Sequence, residues 1–421
     1  MSERTAAGPV GGARRERLLG RLVTIAPAER GPTLLAGAYF FCSLASWFVL
    51  RPIRDEIAVA AGVRTLPWFF AATLVVTLVT NALYSALVAR LPVRRLLLVT
   101  YQALVACLVL FWLAWRGPEG TPGAVWAGRL FFAWTTMFAV LVPSLFWSVM
   151  ADAYRSGQAA RLFGVIGVGG TLGSIAGSAL TATLARVLGT SNLLLVSVVL
   201  LEGAALLALA FQARRGVLRA VADGAVDGAV DGDATRAAIR DAVPVRGRGA
   251  AARVADADAR AIGGSVWAGA THVARNPYLL GIAGFLLLYN TGSTVLYFAQ
   301  TEIVGAAYAT RDARTEVLAR VEFLTQLLTV VTQALLTGRV IRRFGLATTL
   351  ALMPALSIVG FGVIGLSAWG LVPALGGVLA FTVLRRAANF ALTNPAMEAL
   401  FTVVTREDKY KAKVFLETFV Y

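Results

Sequence analysis

The sequence predicts an all-α membrane protein with many spanning helices. Of its 421 residues, 58% are hydrophobic and only 15% are charged, and the mean hydropathy is +0.72. Soluble domains average about 45–50% apolar and about 25% charged residues. The apolar residues form runs of about 20, the length that a helix needs to cross about 30 Å of hydrocarbon. These runs are continuously apolar, which distinguishes them from the alternating strands of a membrane barrel.

The runs divide the chain into four parts. Residues 1–32 form an N-terminal arm, 33–213 a six-helix bundle, 214–276 a linker, and 277–421 a second bundle. The ten predicted spans are Thr33–Leu50, Pro67–Ala89, Leu96–Trp115, Trp126–Met150, Leu162–Ala185, Asn192–Gln212, Leu279–Gln300, Val321–Gly338, Ala347–Ser367 and Leu371–Leu392.

The distribution of arginine predicts the orientation of the chain. The formal net charge is +16, but the basic residues lie in alternate connections and not on one soluble surface, so no nucleic-acid partner is expected. The positive-inside rule places the N-terminus and these connections in the cytoplasm, as in a multi-pass protein of the bacterial inner membrane. The arginines concerned are Arg14, Arg15, Arg17, Arg21, Arg90, Arg94, Arg95, Arg155, Arg161, Arg214, Arg215, Arg219, Arg339, Arg342 and Arg343.

The linker between spans six and seven has the composition of a flexible segment. It consists largely of Ala, Gly, Asp and Arg, with hardly a large apolar residue. From about Gly264 an amphipathic pattern predicts a short interfacial helix that ends before Asn276 and Pro277. His272, the single histidine, lies in this helix, and one isolated imidazole makes neither a metal site nor a proton relay.

The two bundles repeat each other in sequence. With an offset of 252 residues, Phe138 and Pro143 correspond to Phe390 and Pro395. A common offset at separated places indicates a parallel repeat about an axis along the membrane normal. Because the first bundle continues for two more spans after the matched region, we expect an architecture of twelve spans, of which the sequence holds ten.

Two connections resemble a motif of the major facilitator superfamily. The segments SALVARLPVRR, from Ser85, and GRVIRRFGLA, from Gly338, are similar to the Gly-x-Leu-x-Asp-Arg-x-Gly-Arg-Arg loop of that family, with Ala89 and Arg342 in place of its aspartate. The resemblance implies a twelve-helix transporter made of two bundles. It also implies that the first, fourth, seventh and tenth helices line a central cavity.

A second resemblance is to the bacterial and plastid ATP/ADP translocases. The segment LRPIRDEIAVAAG is similar to their Leu-Arg-x-x-Lys-Asp-x-Leu stretch, with Arg51, Arg54 and Asp55 at the Arg, Lys and Asp positions. The final segment, from Phe401, also resembles a bacterial branch of that group. This resemblance implies exchange of nucleotides across the membrane.

Charged residues inside the spans indicate a site. An ionisable side chain in hydrocarbon costs at least about 2.5–3.5 kcal/mol, so it tends to face a water-filled cavity or a partner. Arg385 and Arg386 are deep in span ten, and Asn389 shares their face. The predicted substrate-binding residues are Arg51, Arg54, Arg129, Tyr289, Asn290, Arg385, Arg386 and Asn389, and the predicted coupling or gating residues are Asp55, Glu56 and Glu202.

Simpler interpretations of these residues remain open at this point. Arg51 and Arg54 can be interfacial arginines that pair with the following carboxylates in a turn. Glu202 lies on the sixth helix, which is peripheral in the fold that the resemblance implies. A structural contact with a partner side chain is therefore favoured over a coupling role. Tyr289 can serve helix packing, and Glu322 is expected in water beside an outer turn.

Span five contains a row of glycines. Gly169, Gly173 and Gly177 are spaced at four residues and form one face of small residues, which permits close approach of another helix. The glycines lie inside a span and no Gly-x4-Gly-Lys-Ser/Thr element is present, so they do not form a phosphate-binding loop. We expect them to be a packing surface.

The sequence favours transport over catalysis. It contains no cluster of His and Cys ligands, no Gly-x-Ser-x-Gly element and no soluble domain, so no enzyme, metal or cofactor is expected. The expected function is secondary transport by alternating access of a small anionic solute within the lipid bilayer, with ATP/ADP-type exchange implied by the resemblance. The alternative is a proton-coupled carrier of another solute, with Asp55 or Glu56 as the proton site. The oligomeric state is not indicated.

The predicted orientation can be tested by cysteine labelling. With Cys42 and Cys107 replaced by alanine, a cysteine at Val230 should resist a membrane-impermeant maleimide in intact cells. It should react after permeabilisation, because the linker is expected in the cytoplasm. Strong labelling in intact cells would reverse the orientation.

Overall fold

The computed structural model describes residues 27–117, 120–154, 156–230, 273–371 and 373–400. Throughout this part of the chain the regular structure is helical, and it contains no strand. The N-terminal arm up to residue 26, His272 with most of the predicted linker, and the segment from Phe401 lie outside the described residues. The all-α prediction is confirmed.

Ten long helices correspond to the ten predicted spans, but the sixth continues to Val230, so residues 214–230, predicted to begin the flexible linker, are helical. They are α1 Pro27–Ala61, α2 Leu66–Arg90, α3 Val93–Ala114, α4 Pro122–Ala153, α5 Ser156–Leu188, α6 Leu193–Val230, α7 Pro277–Ala307, α8 Arg311–Thr332, α9 Gly338–Ala368 and α10 Ala374–Ala388. A short helix, α11, covers Asn394–Leu400. Single π-helical turns, Gln333–Thr337 and Asn389–Thr393, follow α8 and α10.

Within the described residues, nine apolar helical stretches are long enough to cross a membrane. One of them, Arg311–Ser367, is 57 residues long and contains α8 and all of α9 except its last residue. Inside α9 the backbone departs from helical geometry at Gly345, where φ is 77°, a conformation that glycine adopts without a steric penalty. The kink at Gly345 therefore separates two spans.

Local sequence explains where several helices begin and end. Thr121, Asn276 and Thr310 precede α4, α7 and α8, and each side chain accepts a hydrogen bond from a backbone N–H of the first turn. Proline is the first residue of α4 and of α7, where its missing N–H costs nothing. Within each half, short connections place the ends of the odd-numbered helices at one side, and ion pairs of Glu56 with Arg311 and Arg314 bring these sides of the two halves together.

The first helix is longer than predicted. We expected it to end at Leu50, but α1 continues to Ala61, through Pro52 and the charged residues 51–56. The charged residues lower the local hydropathy, so the pattern underestimates the length of the helix. The helix can continue because these side chains contact other helices. The interpretation of Arg51 and Arg54 as arginines in a turn is therefore wrong.

The glycines of α5 bring that helix against α1. A Cβ atom built on Gly169, Gly173 or Gly177 would lie 2.3 Å from a backbone carbonyl oxygen of α1 in each case. Only glycine permits this approach, so the predicted packing surface is confirmed. α1 packs on α5 and α6, and α5 also packs on α8, so α1 and α5 join the two halves of the molecule.

Most side chains of α2 face outward. Trp68, Leu74 and Leu78 are exposed, and only 6% of the apolar window of this helix is buried. Large apolar residues in such a continuous surface would be unfavourable in water and suit contact with lipid tails. In contrast, aromatic residues of α1, α3 and α4 form the core of the first half, with Tyr39 and Tyr101 joined through their hydroxyl oxygens at 2.7 Å.

The close contact of α1 and α5 predicts a position-dependent effect of Gly→Ala changes. Gly173→Ala should lower the melting temperature in detergent, because the added methyl group meets backbone atoms and overpacking costs about 1–3 kcal/mol. Gly167→Ala on the same helix meets no atom within 4 Å and should be neutral or stabilising, since alanine favours helix by about 0.5–1 kcal/mol. Equal effects at both positions would contradict the packing.

Candidate functional site

A cavity of about 350 Å³ lies between the two halves. Its walls come from α1, α7 and α10, with Phe70 of α2 and the π-helical turn after α10. Seven of the eight predicted substrate-binding residues line it, as does Asp55: they are Arg51, Arg54, Tyr289, Asn290, Arg385, Arg386 and Asn389. We call it the central cavity. Among the residues that line it none belongs to α4, which the family resemblance implied to be a lining helix.

Glu322 joins two of these arginines. One carboxylate oxygen accepts a hydrogen bond from Arg51 Nη1 at 3.2 Å, and the other accepts one from Arg386 Nη2 at 2.6 Å. Gln326 Nε2 also donates to the first oxygen, at 2.8 Å. The Glu322 side chain is 2% exposed. The expectation that Glu322 lies in water is wrong, because α8 begins at Arg311 and carries Glu322 three turns into the bundle.

Arg385 is held by neutral oxygen atoms. Its Nη1 donates to Ser293 Oγ at 2.7 Å, its Nη2 to the Tyr289 carbonyl at 2.8 Å, and its Nε to Ser357 Oγ at 3.2 Å. The guanidinium carbon lies 4.7 Å from the centre of the Tyr289 ring. Although the residue is 3% exposed, no carboxylate within the described residues pairs with it. Its positive charge is therefore solvated by dipoles and not neutralised.

Arg54 and Asp55 complete the charged wall. The Arg54 guanidinium stacks on Phe132 of α4 at 4.3 Å, and its buried Nε has no hydrogen-bond partner. Asp55 accepts a hydrogen bond from the Tyr297 hydroxyl of α7 at 3.2 Å. In and around the central cavity four arginines thus accompany two carboxylates, Asp55 and Glu322, which leaves an excess of two positive charges.

Ion pairs join the halves at the end where α1 meets α2 and α7 meets α8. Glu56 of α1, with a side chain 2% exposed, accepts from Arg314 Nη2 at 2.8 Å and from Arg311 Nε at 3.2 Å. Thr190, after α5, donates to Asp312 through both its N–H and its hydroxyl, at 2.7 and 2.6 Å. We call this end, defined by these residues, the sealed end. The arginine distribution predicts that it faces the outside.

A second cavity, of about 380 Å³, lies at the sealed end. Glu56 and Arg129 line this cavity and not the central one. The Arg129 guanidinium lies 4.8 Å from the ring of Trp126, near the start of α4. The hypothesis that Arg129 joins the central arginines is therefore wrong, because its side chain rests on Trp126 and lines the cavity at the sealed end.

Glu202 lies away from both cavities. Its two carboxylate oxygens accept hydrogen bonds from Gln102 Nε2 of α3, at 3.1 and 3.0 Å. The contact holds α6 against α3, and neither residue lines a cavity described above. A coupling or gating role for Glu202 therefore has no support in the geometry. Within the described residues no group of three or more His, Cys, Asp or Glu side chains is placed to hold a metal ion.

The buried carboxylate of Glu322 predicts a large effect of its removal. Glu322→Gln should lower the melting temperature in detergent strongly, because losing one partner of a buried ion pair costs about 3–5 kcal/mol. Glu302→Gln, at an exposed position of α7, should change the free energy of unfolding by no more than about 0.5 kcal/mol. A similar small change for both variants would show that Glu322 does not hold the helices together.

Comparison with solved structures identifies the fold. A crystal structure of a POT family transporter in complex with 5-aminolevulinic acid aligns over 91% of this chain and 87% of its own, with a TM-score of 0.54 and 12% sequence identity. A structure of a D-xylose-proton symporter aligns over 93% of this chain and 89% of its own, with a TM-score of 0.45 and 13% identity. No protein-family model matches the chain, and no curated protein sequence matches it significantly. The alignment with the POT family transporter shows that the chain shares its fold, the two-bundle helical fold of major facilitator transporters.

Proposed function

We propose that the protein is a secondary transporter of a small anionic solute that works by alternating access. The observation that carries this proposal is a cavity between the two halves whose charged groups leave an excess of two positive charges. In this fold two bundles rock about a site near the bilayer midplane and open it to one side at a time.

The depth of the charged groups supports a midplane site. Arg51 is ten residues from the end of α1, Glu322 eleven from the start of α8, and Arg386 twelve from the start of α10. At 1.5 Å per residue these groups lie about 15–18 Å from the sealed end, half of a membrane about 30 Å thick. A site at that depth suits alternating access, in which the site opens to one side at a time.

The arginines favour an anion. Arg51 and Arg386 share the charge of Glu322, whereas Arg385 is bonded to neutral oxygens and Arg54 stacks on an aromatic ring. A planar guanidinium offers paired donors that match a carboxylate or phosphate group. An anion in the cavity would supply the charge that this wall lacks, whereas a cation would be repelled.

The volume of the central cavity favours a small solute. About 350 Å³ is near the lower end of the range of ligand cavities, which is about 300–1,000 Å³. The ATP/ADP-type exchange implied by the segment around Arg51 would require a larger space around the same arginines. A small organic acid fits the cavity better, and both classes belong in one substrate panel.

Asp55 supports proton coupling as the second candidate. This carboxylate is in the wall of the central cavity, between α1 and α7, and its hydrogen bond to Tyr297 joins the two halves. Protonation would remove its charge and change that contact, so one proton can alter both the affinity for an anion and the contact between halves. Glu56 is a weaker candidate, because it is bonded to Arg311 and Arg314 at the sealed end and does not line the central cavity.

Substitution of Arg54 tests the anion site. In proteoliposomes with the full-length protein, a panel of labelled organic acids, nucleotides and sugars identifies the transported solute. Arg54→Ala should then weaken binding of this solute by about 10- to 150-fold. This factor corresponds to the loss of one charge-assisted hydrogen bond, which is worth about 1.5–3 kcal/mol. Arg54→Lys should lose less affinity, because lysine keeps the positive charge but lacks the paired donors of the guanidinium group. Arg116→Ala, an exposed arginine stacked on Trp112, is the matched control; equal losses in the control would contradict the site.

Substitution of Asp55 tests proton coupling. Asp55→Asn should abolish accumulation driven by a pH gradient while retaining exchange of labelled for unlabelled solute, since exchange needs no net proton movement. Asp152→Asn, an exposed carboxylate at the end of α4, should retain both activities. Accumulation by Asp55→Asn equal to that of the unchanged protein would exclude Asp55 as the proton site.

A further inference from the structure

We infer that the cavity at the sealed end is a second anion-binding site, separate from the central cavity. It has a volume of about 380 Å³, and its charged lining consists of Glu56, Arg129, Arg311 and Arg314. The ligand class is a small oxyanion, which means a carboxylate, phosphate or sulfate group.

The charges of this cavity are unbalanced. Glu56 alone faces three arginines, and it is already bonded to two of them, Arg311 and Arg314. Within the described residues no carboxylate pairs with Arg129, whose guanidinium rests on the Trp126 ring. The cavity therefore holds an excess of two positive charges beside space that a small ligand can occupy.

The two arginines of α8 are held in place before any ligand arrives. The Arg311 guanidinium lies 4.1 Å from the ring of Trp115. Arg314 Nη1 donates to the carbonyl oxygens of Tyr308 and Ala309, at 3.4 and 3.0 Å. Donors fixed in this way lose little conformational freedom when an anion binds, which favours affinity.

The position of these arginines on α8 also favours binding of an anion. Arg311 and Arg314 are in the first turn of the helix, where the helix dipole is positive and a cation is unfavourable. Asp312 of the same turn and Glu56 relieve this in the present structure, but Glu56 belongs to the other half of the molecule. When Glu56 moves away, an oxyanion from solution can replace it between the same two side chains.

Displacement of the Glu56 carboxylate by a bound anion would link the site to the conformation of the protein. An anion that competes with Glu56 weakens the contact between α1 and α8, so it favours the state that is open at the sealed end. This consequence rests on the proposed alternating access. The binding itself does not, because the cavity and its arginines are present in the structure as it stands.

Chemical modification of arginine can test the site residue by residue. The purified full-length protein is treated with phenylglyoxal at increasing sulfate concentration, with chloride at equal ionic strength as the reference, and modified peptides are quantified by mass spectrometry. The side chains of Arg311 and Arg314 are 13% and 16% exposed, so they can react through the cavity. Sulfate should slow modification of both, and chloride should not.

Two matched variants make the test specific. Arg129→Gln should raise the sulfate concentration for half-protection by about tenfold or more, as expected for one lost charge-assisted contact. Arg116→Gln should leave it unchanged, since that arginine also rests on a tryptophan ring, at 4.6 Å, but does not line the cavity. Glu56→Gln should lower the sulfate concentration for half-protection, because the carboxylate that competes with sulfate is removed.

The outcomes separate this inference from the proposed function. Absence of sulfate protection at Arg311 and Arg314, or equal shifts in the Arg129→Gln and Arg116→Gln variants, would overturn the second site. Protection of these two arginines in a protein that transports no member of the substrate panel would contradict the proposed function and support the second site. An unchanged melting temperature of Arg129→Gln shows that the variant is folded.

Discussion

The ion pairs of Glu322 with Arg51 and Arg386 set the arrangement of the central cavity. Moving a carboxylate or guanidinium out of water costs several kcal/mol, so these groups are tolerated in the bundle only together. They come from α8, α1 and α10, and each fixes the depth of its helix relative to the other two. Because one carboxylate serves two arginines, the cluster keeps a positive charge. Arg385, solvated by neutral oxygens, adds to it.

α1 links the two charged regions of the molecule. The face that carries Arg51 and Asp55 lines the central cavity, whereas Glu56, one residue further, is rotated by about 100° and reaches the sealed end. The helix can bring these groups to the interface because the glycines of α5 let it pack backbone against backbone. Movement of α1 would therefore change the central cavity and the sealed end together.

The sequence predicted the fold and most of the central cavity, because hydrophobic length and intramembrane charge are strong signals. It could not predict where α1 ends, because the charges after Leu50 lower the hydropathy. In the structure Arg51, Asp55 and Glu56 bond to partners on other helices, and Arg54 stacks on an aromatic ring. Glu322 was assigned to water for the same reason: its partners, Arg51 and Arg386, are distant in sequence. Arg129 was misplaced because the sequence of a span does not show which face of the helix turns toward the cavity.

Distances between spin labels at the two ends test alternating access most directly. One pair, at Val187 and Trp369, reports on the sealed end, and another, at Arg90 and Phe344, reports on the opposite end; all four positions are exposed. In each pair one residue belongs to each half. Addition of the transported solute should lengthen one distance and shorten the other, because the bundles rock about the buried charges. Distances that remain constant, or that change in the same direction at both ends, would contradict the account.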